Sequence, residues 1–231
     1  MIKNKSIVGI IPARGGSKGV PRKNLRLVES RGKSLLEITI ETAKASRYLD
    51  RVIVSSEDAE IIEEAKHAGA DVPFIRPIEL AQDHTPGIDP VLHALSQLEP
   101  YDYVMLLQVT SPLRTTEDVD ACIEHCLQLQ APACVSVVKV DKHPYWMVTM
   151  QENMRLQKFY DGDIPARRQD LPEIYVLNGA IYIAKIDWLL QNKNFLAEET
   201  VGFVMPKERS LDIDSELDFL ILESLIKEQG E

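Results

Sequence analysis

The sequence has no long apolar run and no excess of positive charge. None of its apolar stretches approaches the ~20 residues needed to cross a bilayer, and its first residues lack the apolar region and cleavage site of a signal peptide. The 26 Lys and Arg residues are outnumbered by 36 Asp and Glu, which gives a net charge of -10. Because attraction to phosphates supplies most non-specific affinity for nucleic acids and anionic membranes, we expect neither as a partner.

Cysteine is also scarce, with only Cys122, Cys126 and Cys134 in 231 residues. Their odd number, and the lack of a fourth ligand at a zinc-like spacing, favour structural thiols over a metal site. Together with the missing signal peptide, this usage predicts a reducing, cytoplasmic setting. The length and the 45% hydrophobic content suit a globular domain over residues 1–231 that buries a substantial core.

Apolar runs alternate with segments of helical periodicity over the first 140 residues. We expect strands at 6–12, 51–55, 72–75, 103–108 and 134–140, and helices at 34–48, 57–68, 89–98 and 115–130. This β-α-β alternation predicts an α/β fold with a mostly parallel, doubly wound sheet. Open sheets of this kind bind ligands at the carboxyl ends of their strands.

The alternation stops at residue 141. The stretch 141–172 contains aromatic, proline and charged residues but has little periodicity. Beyond it we expect a strand pair or one long bent strand at 174–184, a strand at 202–205 and a helix at 214–227. Because a long irregular excursion in a compact enzyme is usually functional, we expect 141–172 to form an arm that packs on a second subunit.

A loop rich in glycine and basic residues follows the first predicted strand; residues 11–24 read IPARGGSKGVPRKN. Glycines allow a ligand to approach the backbone, and successive N–H groups can hold phosphate oxygens. Arg14, Lys18 and Lys23 would neutralise a triphosphate as its charge redistributes. The spacing matches neither a Walker loop nor a dinucleotide-binding fingerprint. The alternative is a solvated turn, which the position directly after the first strand disfavours.

Two carboxylates precede the last predicted helix, in the segment LDIDSELD at 211–218. Asp212 and Asp214 alternate across Ile213, so in an extended segment both face the same way. Two oxygen ligands on one face suit Mg²⁺, which takes few protein carboxylates and completes its shell with phosphates and water. The alternative is capping of the helix by Asp214 or Ser215. The presence of the cationic loop elsewhere in the chain favours the metal, because nucleotidyl transfer needs both.

A third polar segment, LLQVTSPLR at 106–114, closes a predicted buried strand. Its polar side chains stand where open α/β sheets hold their substrates. The alternative is a strand-to-helix turn in which Ser and Thr side chains satisfy backbone groups.

Six segments in this order resemble the acylneuraminate cytidylyltransferases, also called CMP-sialic acid synthetases. The resemblance covers essentially the whole chain. The segments are IPARGGSKGVPRKN (11–24), RPIELAQD (76–83), LLQVTSPLR (106–114), RRQDLP (167–172), NGAIYI (178–183) and LDIDSELD (211–218). The resemblance implies a Rossmann-like nucleotidyltransferase fold and a homodimer in which 141–172 is a dimerisation arm. It implies transfer of CMP from CTP to a nine-carbon sugar acid, with Mg²⁺ as cofactor.

The resemblance also implies roles for individual residues. Mg²⁺ would be held by Asp212 and Asp214, which form the catalytic set with Arg14 and Lys23. The nucleotide would be bound by Arg14, Gly15, Ser17, Lys18, Asn24, Arg76 and Thr85, the last two near the cytosine. The sugar would be bound by Gln108, Arg168, Asn178, Tyr182 and Phe195.

Three positions bear on which sugar acid is used. Trp146 and Val176 stand where sialic-acid-specific relatives look basic, and Gly87 stands where they carry Ser. The segment 143–147 instead looks like the branch that activates legionaminic acid. We therefore expect legionaminic acid to be favoured over N-acetylneuraminate. The alternatives are a cytidylyltransferase for the eight-carbon acid Kdo, whose opening loop lacks RGGSKG, and a catalytically silent nucleotide-binding regulator.

Overall fold

The computed structural model describes residues 2, 4–17, 19–160, 162, 167 and 170–229. The strands are β1 (Ile7–Pro12), β2 (Leu27–Val28), β3 (Lys33–Ser34), β4 (Arg51–Ser55), β5 (Tyr103–Leu107), β6 (Ala133–Lys139), β7 (Val148–Met150), β8 (Leu156–Lys158), β9 (Tyr175–Lys185) and β10 (Thr200–Val204). The helices are α1 (Leu35–Lys44), α2 (Ala59–His67), α3 (Asp89–Ser96), α4 (Thr116–Gln128), α5 (Ile186–Asn192) and α6 (Glu216–Gln229). Short 3₁₀ turns join several of them.

A six-stranded sheet forms the centre of the fold, in the order β10-β6-β9-β5-β1-β4. Strand β1, next to the edge strand β4, is parallel to both of its neighbours, β4 and β5, and β6 is parallel to β10. Strand β9 is antiparallel to both β5 and β6. The predicted mostly parallel α/β sheet is confirmed, and its parallel half holds the loop that follows β1.

Helices cover both faces of the sheet. Side chains alternate along β1, so Ile7 and Ile11 join one core while Val8 and Ile10 join another. The first core packs against α1, α2, α4 and α6, and the second against α3 and α5. Because both faces of β1 are buried, its sequence is apolar almost throughout, as expected for a parallel strand inside a doubly wound fold.

Three helices begin at polar side chains that satisfy free backbone N–H groups. Ser34 caps α1 and Thr115 caps α4, each in a reciprocal capping box with the acidic residue three positions later. Asp58 caps α2 and accepts hydrogen bonds from two backbone N–H groups of that helix. Such caps stabilise a helix by ~1 kcal/mol each and explain why the predicted helix starts are nearly correct.

The structure departs from the sequence-based prediction in three places. The strand predicted at 72–75 is wrong: in the described chain this segment joins the sheet only next to it, through a bridge from Ile53 to Asp71. Pro73 has no N–H to donate to a strand, and Phe74 instead packs its ring against His93. Within the arm, β7 and β8 form an antiparallel hairpin that its weak periodicity did not reveal. Helix α5 was not predicted either.

Strand β9 decides between the two alternatives left open for 174–184. It is one long strand that bends at Gly179, whose φ of +74° lies in the left-handed region. Its pairing with β6 shifts register near Val135 and Val137.

None of the described helices is long and apolar enough to cross a membrane.

Candidate active site

Nine of the predicted site residues line a cleft of about 340 Å³ at the carboxyl ends of β1 and β5, whereas the other described ones, Gly15, Asn178, Tyr182 and Phe195, do not line it. The loop after β1 forms one wall, and the segment 76–90 forms a second. Gln108, Val109 and Thr110 follow β5, and the two carboxylates before α6 close the cleft. Its predicted members are Arg14, Ser17, Lys23, Asn24, Arg76, Thr85, Gln108, Asp212 and Asp214. Lys18 and Arg168 lie outside the described residues.

The two predicted catalytic cations are paired with carboxylates of the same cleft. Arg14 donates from Nη1 to Asp83 Oδ1 at 2.8 Å, and Lys23 Nζ lies 3.1 Å from Asp214 Oδ1. Lys23 also donates to the carbonyl of Ile213. Its side chain is only 12% exposed, whereas Asp214 is 77% exposed. Both cations are therefore fixed in the cleft, and a bound phosphate would compete with carboxylates for them.

The backbone of the loop is held by side chains on either side of Arg14. Asn24, which is buried, donates from Nδ2 to the carbonyl of Arg14 at 2.9 Å. The N–H of Gly15 donates to Glu57 Oε1 at 2.8 Å. Glu57 was missed by the sequence reasoning, since it stands in an ordinary helix-start segment between β4 and α2. Asn24 was expected to bind CTP, and its amide instead shapes the loop in this structure.

Arg76 lies at the edge of the same loop and is almost completely buried. Its Nη2 donates to the carbonyl of Ala13 at 3.0 Å and to Glu57 Oε2 at 2.5 Å. Its Nε is buried and has no hydrogen-bond partner in the described part of the chain. That free donor fits the predicted contact with the cytosine. Thr85, the other residue expected near the base, lines the cleft and donates to the carbonyl of Glu79.

The segment before α6 displays two carboxylates around one buried residue. Ile213 is fully buried, and its N–H donates to the carbonyl of Thr110 at 2.8 Å. Asp212 and Asp214 consequently both line the cleft, as the alternation predicted. The capping alternative is met by Ser215, whose hydroxyl and N–H bond Asp218 Oδ2 at 2.7 Å each. Capping therefore does not occupy the carboxylate of either predicted metal ligand.

The environment of Asp212 disfavours its charged form. Its side chain keeps access to solvent, yet surrounding protein atoms remove part of its hydration and raise its pKa above the ordinary value. The negative charge of Asp214 raises this pKa further, while a hydrogen bond with Thr110 opposes the shift. A pair of close carboxylates whose repulsion is incompletely offset is a suitable environment for a bound cation.

The predicted sugar-binding residues do not all reach the cleft. Gln108 lines it, and Tyr182 lies near Asp212, whose charge adds to burial in raising the Tyr182 pKa. Phe195 is buried and packs its ring 5.5 Å from that of Tyr182. Asn178 is also buried, with its amide bonded to Ser136, to Ser210 and to the backbone. The roles of these residues toward a sugar stay predictions.

Arg114, the last residue of the polar segment 106–114, links the residue after β5 to the middle of β9. It is 3% exposed and donates from Nη1 to the carbonyls of Gln108 and Ala180, at 3.1 and 2.6 Å. Complete burial of the guanidinium lowers its pKa to about 10. Because Gln108 follows β5 and Ala180 lies in β9, Arg114 holds the two strands together where their pairing ends.

The basic loop after β1, the carboxylate pair and the doubly wound sheet are features of a nucleotidyltransferase. A model of the cytidylyltransferase family matches residues 8–220. The chain belongs to the cytidylyltransferase family, and the predicted enzyme class is confirmed.

Characterised relatives cover nearly the whole chain. It is 34% identical over 229 residues to "Post-translational flagellin modification protein B" of Campylobacter coli, covering 97% of this chain and 96% of that protein. It is 34% identical over 229 residues to the CMP-N,N'-diacetyllegionaminic acid synthase of Legionella pneumophila, covering 96% of each. It is also 35% identical over 214 residues to an N-acylneuraminate cytidylyltransferase of Escherichia coli, covering 92% of this chain but 50% of that protein.

A solved structure shows the same fold. A CMP:2-keto-3-deoxy-manno-octonic acid synthetase complexed with CTP superposes with a TM-score of 0.73 at 20% sequence identity. The superposition covers 97% of this chain and 99% of that one. The likeness confirms the predicted Rossmann-like nucleotidyltransferase architecture.

Replacing Asp212 by Asn is expected to stabilise the protein at neutral pH. The raised pKa means that the folded state holds the charged carboxylate less favourably than the unfolded state does. The gain is therefore largest above the raised pKa. It disappears at acid pH, below the ordinary aspartate value, because the carboxyl is then protonated in both states. Urea unfolding at several pH values measures this difference.

The matched control is Asp187→Asn, at an exposed position in the first turn of α5, which should change stability by no more than about 0.5 kcal/mol. Equal stability of Asp212→Asn and the parent at every pH would contradict the raised pKa of this carboxyl.

Proposed function

We propose that the protein transfers CMP from CTP to the anomeric hydroxyl of a nonulosonic acid and releases pyrophosphate. The observation that carries this proposal is the single cleft in which Arg14 and Lys23 face Asp212 and Asp214, beside Gln108. Cations for a triphosphate, carboxylates for a metal ion and a polar edge for a second substrate lie within one volume. Relatives named for CMP-legionaminate and N-acylneuraminate chemistry support the acceptor class.

The reaction is an in-line displacement at phosphorus. The 2-hydroxyl oxygen of the sugar attacks the α-phosphorus of CTP, and the bond from that phosphorus to the pyrophosphate oxygen breaks. Negative charge accumulates on the leaving pyrophosphate. Arg14 and Lys23 stabilise that charge, because both are held in the cleft by contacts with Asp83, Ile213 and Asp214.

The carboxylate pair fits Mg²⁺. In the described chain no group of three or more His, Cys, Asp or Glu residues could hold a metal. Asp212 and Asp214 would supply two ligands, and substrate phosphates and water would supply the others, which is the usual arrangement for this ion. When bound, Mg²⁺ neutralises phosphate charge and acidifies a coordinated hydroxyl.

For the acceptor, we propose that Gln108 and Tyr182 border the sugar and that Arg168 pairs with its carboxylate. Phe195 would act by supporting the ring of Tyr182. Legionaminic acid is proposed as the preferred sugar over N-acetylneuraminate. The segment 143–147 and Gly87 motivate this choice, and a relative named for legionaminate chemistry matches the chain at about the same identity as relatives named for other nonulosonic acids. At Gly87, which lines the cleft, an added Cβ would meet nothing within 4 Å, so the pocket is open at that point.

Trp146 and Val176, which motivated the same preference, are about half exposed and do not line the cleft among the described residues. They would influence the sugar only across a subunit interface. This placement links the substrate preference to the proposed dimer.

We propose that 141–172 forms the interface of a homodimer. The hairpin β7–β8 and its neighbours expose many large apolar side chains on one short segment. They are Trp146, Met147, Val148, Met150, Met154, Leu156 and Phe159, each between 47% and 70% exposed. A hairpin of two three-residue strands buries little by itself, so a second subunit supplies the cover it needs.

We further propose that the reaction takes place in the cytoplasm. All three cysteines are free and buried, as the sequence predicted for structural thiols. Burial raises the pKa of Cys126 to about 12, which leaves this thiol unreactive.

Pyrophosphate release measured with CTP and a panel of sugar acids tests the function. Legionaminic acid should give the highest kcat/KM, N-acetylneuraminate a lower one, and Kdo little turnover. A better rate with N-acetylneuraminate would overturn the sugar preference and leave the nucleotidyl transfer intact. CTP binding without pyrophosphate release for any sugar would favour a silent regulator.

Asp212→Ala and Asp214→Ala should each lower kcat by ~10² or more, because loss of a metal-held charge stabilisation raises the barrier by several kcal/mol. Circular dichroism should show an intact fold, since neither carboxylate packs in the core. The control is Asp187→Asn, which should keep parental turnover. Near-normal turnover of either alanine variant with Mg²⁺ would remove that residue from the metal site.

Phe159→Glu should shift the protein toward monomer in sedimentation velocity, because a charge replaces a 66% exposed aromatic ring in the proposed interface. Leu129→Glu, at an equally apolar and 53% exposed position after α4, is the control and should stay dimeric. A monomeric parent protein would contradict the proposal that 141–172 forms a dimer interface.

Mixing inactive Arg168→Ala and Asp212→Ala subunits tests whether the arm completes the partner's site. Restored activity is expected, because one site of the mixed dimer then has both residues. No restoration after verified subunit exchange would assign Arg168 to its own chain or to neither site.

A further inference from the structure

Three side chains hold the backbone on both sides of Arg14. Arg76 donates to the carbonyl of residue 13 at 3.0 Å, and Asn24 donates to the carbonyl of Arg14 at 2.9 Å. Glu57 accepts from the N–H of Gly15 at 2.8 Å. Consecutive peptide groups are thus fixed by side chains from three separate segments. These contacts fix the backbone from which the Arg14 side chain extends to Asp83.

Glu57 and Arg76 form one unit within this arrangement. The two carboxylate oxygens of Glu57 have separate tasks: Oε1 holds Gly15, and Oε2 lies 2.5 Å from Arg76 Nη2. The side chains are 10% and 3% exposed, so the pair is largely desolvated. Removing one partner would leave a buried charge unpaired, which is far more costly than losing an exposed ion pair.

The position of this pair is unusual for a site that must bind a triphosphate. A lone carboxylate against the loop would repel phosphate oxygens, and it occupies an N–H that could otherwise bind one. Arg76 offsets that negative charge, so the pair is close to neutral toward the ligand. What remains is its mechanical effect: β4 ends at Ser55 and α2 is capped by Asp58, so Glu57 is anchored between two rigid elements.

We propose that Glu57 is a positioning residue for nucleotidyl transfer, which holds Gly15 and Arg76 so that Arg14 meets the phosphates that leave. The inference rests on the proposed function through the role of Arg14. Glu57 itself touches neither substrate. Its effect reaches the reaction through the backbone of the loop, where small displacements of a charged group reduce stabilisation of the leaving group.

The test is calorimetric titration of Glu57→Gln with CTP and with CMP. The amide has a single oxygen, so it can accept from the Gly15 N–H or from Arg76 but not from both, and its NH₂ group faces the other donor. The loop should therefore lose its fixed position. CTP affinity should fall about tenfold, equivalent to ~1.4 kcal/mol. CMP shares the predicted base contact of Arg76 but has no leaving phosphates for Arg14, so its affinity should fall clearly less. The matched control is Glu63→Gln, an exposed residue of α2 paired with Lys66, which should bind both nucleotides like the parent.

A double-mutant cycle with Arg14→Ala separates positioning from general stability. If Glu57 acts through Arg14, adding Glu57→Gln to Arg14→Ala should cost no further CTP affinity. Additive losses would overturn the proposal, as would equal losses for CTP and CMP or no loss at all. A lowered melting temperature with unchanged selectivity between CTP and CMP would assign Glu57 a structural role only.

Glu57→Asp keeps the inference testable if the amide variant does not fold. It retains the charge that Arg76 requires, but its shorter side chain cannot reach both Arg76 and Gly15. CTP affinity should be intermediate, and the same cycle with Arg14→Ala should again show no added loss. Titration needs no sugar, so a wrong acceptor would not affect it. If the parent does not bind CTP, the proposed function and this inference are overturned together. If the parent binds CTP and the Glu57 variants bind it equally well, only this inference is overturned.

Discussion

The parallel pairing of β1 with β4 and β5 is the constraint on which the site depends. Because the three strands run in the same direction, their carboxyl ends meet at one edge of the sheet. The basic loop leaves β1 there, Glu57 follows β4, and Gln108 follows β5. Residues distant in sequence are thus brought to one edge of the sheet by the order and direction of its strands. A shift of register would separate the loop from the residues that hold it.

Within this frame, the cleft balances charge locally although the chain is acidic overall. Arg14, Lys23 and Arg76 are each within 3.1 Å of a carboxylate oxygen, from Asp83, Asp214 and Glu57 respectively. The first two pairs involve a well-exposed carboxylate, and such pairs contribute little to stability. The third is buried and rigid. Exposed pairs can exchange a carboxylate for a phosphate at low cost, whereas the buried pair keeps the loop in place during that exchange.

Much of this arrangement could be predicted from sequence, and the failures have identifiable physical reasons. The strands of the parallel half are short apolar runs, and the caps Ser34 and Thr115 mark helix starts. These elements can therefore be predicted from the local sequence. The alternation of Asp212, Ile213 and Asp214 also survives, because an extended segment has a fixed period of two. The β7–β8 hairpin could not be predicted, because its side chains are all exposed. A strand without a buried face has no need for alternating polar and apolar residues.

The role of Glu57 could not be predicted from the sequence for a different reason. Its neighbours Ser55, Ser56 and Asp58 read as an ordinary strand-to-helix connection, and only Asp58 serves as the cap. What distinguishes Glu57 is a partner 19 positions later and another 42 positions earlier. Likewise, Asn178 and Asn24 were expected to meet a ligand, whereas their amides bond protein groups. Residue type alone does not say whether a buried amide binds the chain or the substrate.

The last requirement of the site is that the two ends of the chain meet. Lys23 bonds the carbonyl of Ile213, and Arg26 pairs with Glu216 while lying 4.1 Å from the ring centroid of Phe219. Glu223, farther along α6, accepts from the backbone at Glu29 and Ser30. These contacts join residues about 190 positions apart, so the loop and the carboxylates come together only when β1 and α6 are both docked on the same core. Loop closure over such a length is entropically unfavourable by itself. The buried side chains of α6, including Phe219 and Leu222, supply the packing that offsets it, which makes the C-terminal helix as necessary to the cleft as the loop it faces.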